Sequence, residues 1–367
     1  MSKIDEQACK DSALIVNEGI EQPPITNPYI NNFFKKNKTK TLSEDDYIQG
    51  ILEGNTTILS QAITLVESSN PAHRELAQKI IDRALPHCVK SKRIGITGVP
   101  GAGKSTFIEA FGGLLTAKGH KLAVLAIDPS SEKSKGSILG DKTRMETLCN
   151  DPNAFIRPSP SGGSLGGVAR KTRESIILCE AAGFDMIFIE TVGVGQSETA
   201  VHSMSDFFLL LMLAGAGDEL QGIKRGIMEM SDLIAITKSD GSNIDKATLA
   251  RSLYKNALHL FPPTESGWVP TALTTSAVTK DGLEDVLNKI NEYFELTNNN
   301  GYYLHKRREQ ARYWMYESIM ENLKISFFEN QNVSDSISQY ENAVLNGNLS
   351  SFKAASELLS IYKKNNI

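Results

Sequence analysis

The spacing of apolar residues changes three times along the chain and divides it into four segments. Residues 1–42 have no regular period and contain Pro23, Pro24 and Pro28, so they are expected to form a flexible N-terminal arm. Residues 43–90 place apolar side chains at helical spacing, and a capping serine followed by acids opens them. This second segment is predicted to hold two or three helices.

Residues 91–297 alternate short strand-like runs with helical stretches. The runs are RIGIT, KLAVLAID, AFIRP, FDMIFIET, DFFLLLMLAG, DLIAITKSD and TALTTSA. This alternation predicts an α/β fold with a mostly parallel central sheet and helices on both faces. Residues 298–367 have helical periodicity after an Asn-rich link, so they are expected to form a C-terminal helical extension.

Composition narrows the class of protein. The net charge is −4 and the pI is about 6.0, which gives no general basic field for nucleic acid. The sequence has no apolar run long enough to cross a bilayer and no signal-peptide block, so no membrane association and a cytoplasmic location are expected. The four cysteines lack metal-ligand spacing and are expected to be reduced, mostly buried thiols.

The segment GVPGAGKST, residues 98–106, lies between a strand-like run and a helix-like one and fits the P-loop pattern. Backbone amides of such a loop point at phosphates, the lysine neutralises the β and γ oxygens, and the serine ligates Mg²⁺. The fold is therefore predicted to be that of a P-loop NTPase. The predicted nucleotide-binding positions here are Gly98, Gly101, Ala102, Gly103, Lys104, Ser105 and Thr106.

A second motif indicates which base is bound. Thr237-Lys238-Ser239-Asp240 follows an apolar strand and resembles the [NT]KxD motif of GTPases, in which the carboxylate accepts hydrogen bonds from guanine. Further along, Ser276 and Ala277 are expected to present a backbone amide to guanine O6. GTP and GDP are favoured over ATP because these fragments follow a P-loop in order.

Carboxylates at strand ends are the candidate metal ligands. Asp128, Asp141 and Glu190 are expected to join Ser105 around Mg²⁺, and Lys104, Glu190 and Asp128 are the candidate catalytic residues. For Asp128 and Asp141 a helix-cap or turn role remains the alternative. Val194 stands where Ras-like proteins have a water-positioning glutamine, so hydrolysis is expected to be slow without a partner, although Gln196 is a candidate substitute.

Six blocks in order resemble the MeaB/ArgK family of P-loop GTPases, bacterial relatives of human MMAA. They are GITGVPGAGKST, AIDPSSEKSKGSILGDKTRM, RPSPSGGSLGGVARKTRE, ETVGVGQSE, GDELQGIKRGIMEMSD and TKSD. The resemblance implies a homodimeric GTPase that gates adenosylcobalamin loading of methylmalonyl-CoA mutase and protects or rescues that enzyme. It also implies three switch segments, at about 128–145, 190–198 and 217–226, with Gln221 and Lys224 coupling the last one to the mutase.

Three questions stay open at the level of sequence. A nucleotide-dependent kinase or ATPase linked to amino-acid transport, and a metal-insertion GTPase, are the alternative functions. The client is methylmalonyl-CoA mutase or a related acyl-CoA mutase. The aromatic residues of 302–328 favour a dimer contact, with packing on the chain's own GTPase domain as the alternative. These aromatic residues are Tyr303, Tyr313, Trp314, Tyr316, Phe327 and Phe328.

Overall fold

A computed structural model describes residues 42–127, 145–158, 165–191, 197–214 and 225–364. Its seven-stranded sheet has the order β3-β2-β4-β1-β5-β6-β7, and every pair of neighbours is parallel. The strands are β1 Lys92–Gly98, β2 Leu122–Ile127, β3 Ala154–Arg157, β4 Met186–Thr191, β5 Phe207–Leu213, β6 Leu233–Thr237 and β7 Thr271–Thr274. The predicted α/β class with a mostly parallel sheet is confirmed.

Helices cover both faces of this sheet, as parallel crossovers require. In the described ranges they are α1 Glu44–Leu52, α2 Thr56–Glu67, α3 Pro71–Ala84, α4 Lys104–Ala117, α5 Glu146–Cys149, α6 Leu165–Ala181 and α7 Ser197–His202. The chain continues with α8 Arg225–Glu229, α9 Ile244–Leu258, α10 Leu283–Asn299, α11 Tyr302–Glu329, α12 Gln331–Leu345 and α13 Ser351–Lys364. None of the helices in these ranges is long and apolar enough to span a membrane.

The central strands are buried on both faces, which explains their continuous apolar runs. Every residue of β2 and of β4 is buried. One core cluster packs α4 and α10 against the sheet, and a second packs α9 against β5 and β6. Strand β1 lies between β4 and β5, so its carboxyl end opens in the middle of the sheet edge where α/β proteins bind ligands.

Helix α11 is anchored beside the sheet at its first half and packs on α13 at its second. Tyr303 is 9% exposed and its hydroxyl donates to Ser91 O at 3.1 Å. Near the other end, the ring centroids of Phe327 and Tyr362 are 5.5 Å apart, which packs α13 on α11. Tyr313 and Tyr316 stay 48% and 59% exposed. Part of the aromatic set therefore covers the chain itself, and part remains available to another surface.

The cysteines differ from expectation. Of the three that the structure describes, Cys179 is buried, Cys88 is half-buried and Cys149 is exposed. The expectation of mostly buried thiols is therefore wrong for this part of the chain, because Cys149 ends the short helix α5, of which only Leu148 is buried.

Candidate nucleotide-binding site

The loop after β1 has the backbone shape that its glycines allow. A Cβ on Gly98 would lie 2.4 Å from Leu211 O, so only glycine lets β1 end this close to β5. Gly101 and Gly103 have φ angles of +80° and +79°, in the left-handed region. Helix α4 begins directly after Gly103, three residues earlier than the apolar run suggests.

The first backbone amides of α4 make no hydrogen bond within the helix. Phe107 N donates to Gly103 O at 2.8 Å, so the amides of Lys104, Ser105 and Thr106 precede the first helical hydrogen bond. Such groups, together with the helix dipole, favour an anion. The amide of Ala102 differs from the prediction, because it donates to Val99 O at 3.1 Å and closes a turn instead.

Lys104 turns back into the loop. Its Nζ donates to Gly98 O at 3.0 Å. Burial lowers the pKa of Lys104, while the charges of Glu190 and Glu198 act in the opposite direction. The loop therefore holds a partly buried cation that a polyanion would stabilise.

Glu190 lies near the carboxyl end of β4, beside the loop. It is 6% exposed and pairs in register with Ile96 of β1 and Ala126 of β2. Next to it, Thr191 Oγ1 donates to Thr97 Oγ1 at 2.9 Å and ties the ends of β4 and β1 together. A buried carboxylate at this edge is suited to a cation.

The predicted magnesium ligands divide between two parts of the chain. Ser105 and Glu190 offer a hydroxyl and a carboxylate at the same sheet edge, which are the oxygen donors that Mg²⁺ prefers. Asp128 and Asp141 lie outside the described residues. Among the residues that the structure does describe, no group of three His, Cys, Asp or Glu side chains is placed to hold a metal.

The TKSD segment is built onto the phosphate loop. Thr237 Oγ1 donates to Ala102 O at 2.8 Å and lies 3.0 Å from Met212 O, so this side chain braces the loop from β6. Lys238 has a φ of 57°, and its Cε lies 3.8 Å from where a Cβ of Gly103 would be. The lysine stem therefore passes over the loop that the sequence places next to the phosphates.

Asp240 is held by Ser276. Ser276 Oγ donates to Asp240 Oδ2 at 2.5 Å and accepts the amides of Val278 and Thr279 at 3.2 and 3.1 Å. The backbone amide of Ser276 donates to Asp281 O at 3.0 Å, so this amide is already paired within the chain. Of the predicted pair, Ala277 alone keeps an amide without a hydrogen-bond partner among the described residues.

Sequence reasoning missed two features of this site. The hydroxyl of Ser276 orients Asp240, although the sequence marked only its backbone; the signal was a serine 36 residues after the aspartate. Glu198, in the first turn of α7, acts on the charge of Lys104 and was noted only as the end of a switch segment. Val194, Gln196, Gln221 and Lys224 lie outside the described residues.

Comparisons with known proteins agree with this geometry. Residues 59–332 match the family model described as methylmalonyl-CoA mutase-associated GTPase MeaB. The chain is 48% identical over 321 residues to a putative GTPase of Caulobacter vibrioides, covering 88% of this chain and 98% of that protein. It is 45% identical over 310 residues to the GTPase ArgK of Escherichia coli, covering 84% and 93%.

A mammalian relative and a solved structure extend the comparison. The methylmalonic aciduria type A homolog of Mus musculus, described as mitochondrial, is 45% identical over 344 residues, with 89% of this chain and 83% of that protein covered. A crystal structure of a LAO/AO transport system kinase superposes with a TM-score of 0.69 at 37% identity. That match covers 88% of this chain and 99% of the other.

Proposed function

This chain belongs to the MeaB family of methylmalonyl-CoA mutase-associated GTPases, and from that premise we propose that it is a GTP-hydrolysing chaperone of an adenosylcobalamin-dependent methylmalonyl-CoA mutase. The chain is a GTPase that binds guanine nucleotides. The nucleotide-binding part of the proposal is carried by the joining of the TKSD segment to the phosphate loop by Thr237 and Lys238, and the mutase part by the family match. In the proposal, this one unit holds the base and the phosphates together.

In this proposal the phosphates lie on the amides of the loop and of the first turn of α4. Lys104 neutralises the β and γ oxygens, and Asp240 accepts the guanine N–H groups, as the bond from Ser276 supports. Ala277 supplies the amide for guanine O6. Thr237 acts through the loop that it braces rather than by touching the base.

Magnesium is the proposed metal, held by Ser105 and Glu190 with Asp128 and Asp141. Bound there, Mg²⁺ would withdraw charge from the β and γ phosphate oxygens. The burial of Glu190 supports this assignment, because a carboxylate at a ligand-binding sheet edge is suited to a cation. Glu190 and Lys104 are then the candidate catalytic residues that lie in the described part of the chain.

Partner dependence completes the proposal. With Val194 where Ras-like proteins have glutamine, hydrolysis alone is slow, and the segment carrying Gln221 and Lys224 couples the mutase to the nucleotide.

Residues 298–367 form the dimerisation extension, and the exposed Tyr313 and Tyr316 support a homodimer contact there. We place the protein in the cytoplasm.

Steady-state GTP hydrolysis with and without the mutase tests the proposal. We expect the mutase to raise the rate and Lys224→Ala to reduce that stimulation while leaving the basal rate nearly unchanged. The coupling expected for such a system is about 1–3 kcal/mol, or roughly 5- to 150-fold. A wild-type rate that the mutase leaves unchanged would overturn the chaperone role and leave the GTPase assignment standing.

Guanine selectivity is measured separately. Asp240→Asn replaces one acceptor oxygen with a donor that opposes the guanine N–H groups, at a cost of about 2–4 kcal/mol in GTP binding. Xanthine nucleotides should then be favoured. Equal affinity of the wild type for ATP and GTP by calorimetry would contradict the role of Asp240.

A further inference from the structure

Helix α7 lies directly on the strand that feeds the phosphate loop. A Cβ on Gly95 of β1 would come within 2.8 Å of Val201 Cγ1 and 2.9 Å of Ser205 Oγ, so glycine is what lets this helix approach so closely. The first turn of α7 carries Glu198, whose charge acts on Lys104. A displacement of α7 would therefore move this charge relative to Lys104.

One face of α11 holds the other end of α7. Lys306 Nζ donates to Asp206 O at 2.7 Å, Gln310 Nε2 to Ser205 O at 2.8 Å, and Trp314 Nε1 to Ser203 O at 3.3 Å. These donors are four residues apart in the sequence, so they form a single stripe along the helix. Three side chains of one face thus bind the carbonyls of Ser203, Ser205 and Asp206, in the segment that follows α7.

Gln310 is the central member of this stripe, and its contacts leave one atom unsatisfied. The residue is 7% exposed, and its Oε1 is buried with no hydrogen-bond partner in the described part of the chain. The bond from Nε2 to Ser205 O fixes the orientation of the amide, because the reversed orientation would face two acceptors at each other. An unsatisfied buried acceptor is costly, so its retention requires an explanation.

A second unsatisfied atom lies at the opposite end of α7. Ser197 Oγ is also buried and has no partner among the described residues. Both ends of α7 therefore pack with incomplete hydrogen bonding. Unpaired buried polar atoms raise the free energy of this arrangement of α7, so the difference from an alternative arrangement is smaller than if every polar atom were paired.

We propose that Gln310 and Trp314 are positioning residues of the nucleotide site, which act through α7 to set where Glu198 lies relative to Lys104. The inference rests on the proposed nucleotide site and adds a second region to it. The same helix presents the exposed Tyr313 and Tyr316. Binding of another protein surface to α11 would therefore change the hydrolysis rate through this stripe.

The test compares two variants of the stripe with two controls on the same helix. Gln310→Leu removes the bond to Ser205 at similar volume, and Trp314→Phe removes the indole donor while keeping an aromatic ring. Tyr303→Phe removes a different buried hydrogen bond of α11, to Ser91 O, and controls for loss of stability. Ala311→Ser, at an exposed position beside Gln310, controls for substitution itself.

GTP affinity, kcat for basal hydrolysis and Tm are measured for each full-length variant. We expect Gln310→Leu and Trp314→Phe each to change kcat about 5-fold, the effect of one altered hydrogen bond, while GTP affinity changes less than about 2-fold. Tyr303→Phe should lower Tm as much with kcat unchanged. If kcat of both stripe variants equals that of Tyr303→Phe, the inference is wrong.

Failure of the proposed nucleotide site would be visible separately. In that case the wild type would neither bind nor hydrolyse GTP, and no variant comparison would arise. Hydrogen exchange of residues 197–206 adds a readout that does not depend on turnover. We expect GDP and a GTP analogue to give different protection there in the wild type, and a smaller difference in Gln310→Leu; equal protection in all states would also overturn the inference.

Discussion

At the amino end of the sheet, Arg307 donates to Asp206 and Glu180, whereas at the carboxyl end Lys104 donates to a single backbone carbonyl. Both cations are partly buried, but their pKa values move in opposite directions. Burial lowers both, yet Asp206 and Glu180 more than compensate at Arg307, and Glu190 and Glu198 do not at Lys104.

We interpret the opposite pKa shifts of Arg307 and Lys104 as the difference between a structural cluster of charges and a ligand site. At the amino end, Glu180 also accepts Arg93 Nε at 2.8 Å and Ser91 Oγ, so the charges are paired within the chain. This cluster fixes the first half of α11 to the sheet. At the carboxyl end, Lys104 donates to a backbone carbonyl and the charges of Glu190 and Glu198 act on it; in our proposal a triphosphate completes the pairing.

The largest expected effect comes from breaking the paired cluster. Arg307→Ala leaves Asp206 and Glu180 buried beside fewer cations, and the expected loss is about 3–5 kcal/mol in the free energy of unfolding. Urea titration of the purified variant measures it. Arg312→Ala, which removes an exposed pair with Glu309, is the control and should change stability by less than about 1 kcal/mol.

Acid should reveal the same cluster. Burial raises the pKa of Glu180, but Arg93 and Arg307 outweigh it and hold that pKa below its ordinary value of 4.5. A lowered folded-state pKa gives stability that is present above pH 4.5 and is lost as the pH falls through the folded value. The wild type should therefore lose more stability than Arg307→Ala on acidification; parallel curves would contradict the pairing.

Breaking the ligand site should affect binding and spare stability. Lys104→Ala removes a charge that the chain itself compensates poorly, so Tm should stay the same or rise slightly. GTP affinity should fall by about 2–3 kcal/mol, or roughly 30- to 150-fold, because charge-assisted bonds to the phosphates are lost. Calorimetry with GTP measures this, with the exposed Lys118→Ala as control.

A large loss of Tm in Lys104→Ala would mean that the lysine is structural. The comparison between the two sheet edges would then fail, since both cations would stabilise the fold. If Lys104→Ala bound GTP with wild-type affinity, the nucleotide would have to bind somewhere other than the loop.

The two edges also differ in how far the sequence foretells them. The phosphate loop is local: its glycines, lysine and serine all lie within residues 98–105, and the strand before it is an apolar run, so pattern and spacing suffice. The cluster at the amino end unites Arg93, Glu180, Asp206 and Arg307, whose separations along the chain carry no period. Only the sheet order brings them together.

The stripe on α11 shows the same limit. Lys306, Gln310 and Trp314 repeat at helical spacing, but two of the three are polar, and the pattern alone assigns such positions to solvent. Their buried partners are carbonyls of a segment about 100 residues earlier. Hydrophobic periodicity has no means to mark a polar side chain that pairs with a distant backbone.

The smallest expected effect tests how the proposed ligand site recognises the guanine base. Ser276→Ala removes the donor that orients Asp240 and leaves the carboxylate itself in place. GTP affinity should fall by about 1 kcal/mol, or about 5-fold, because Asp240 then samples orientations that do not meet the guanine N–H groups. ATP affinity should not change, since adenine presents no donor pair to that carboxylate.

Ser276→Thr keeps the hydroxyl and should restore most of the GTP affinity, and Ser242→Ala, at an exposed position near Asp240, should leave it unchanged. Fluorescence titration with labelled GTP and ATP resolves changes of this size. Equal losses for both nucleotides would show that the serine supports the loop as a whole. A loss confined to GTP, and reversed by threonine, is the result expected if the bond from Ser276 to Asp240 sets base selectivity.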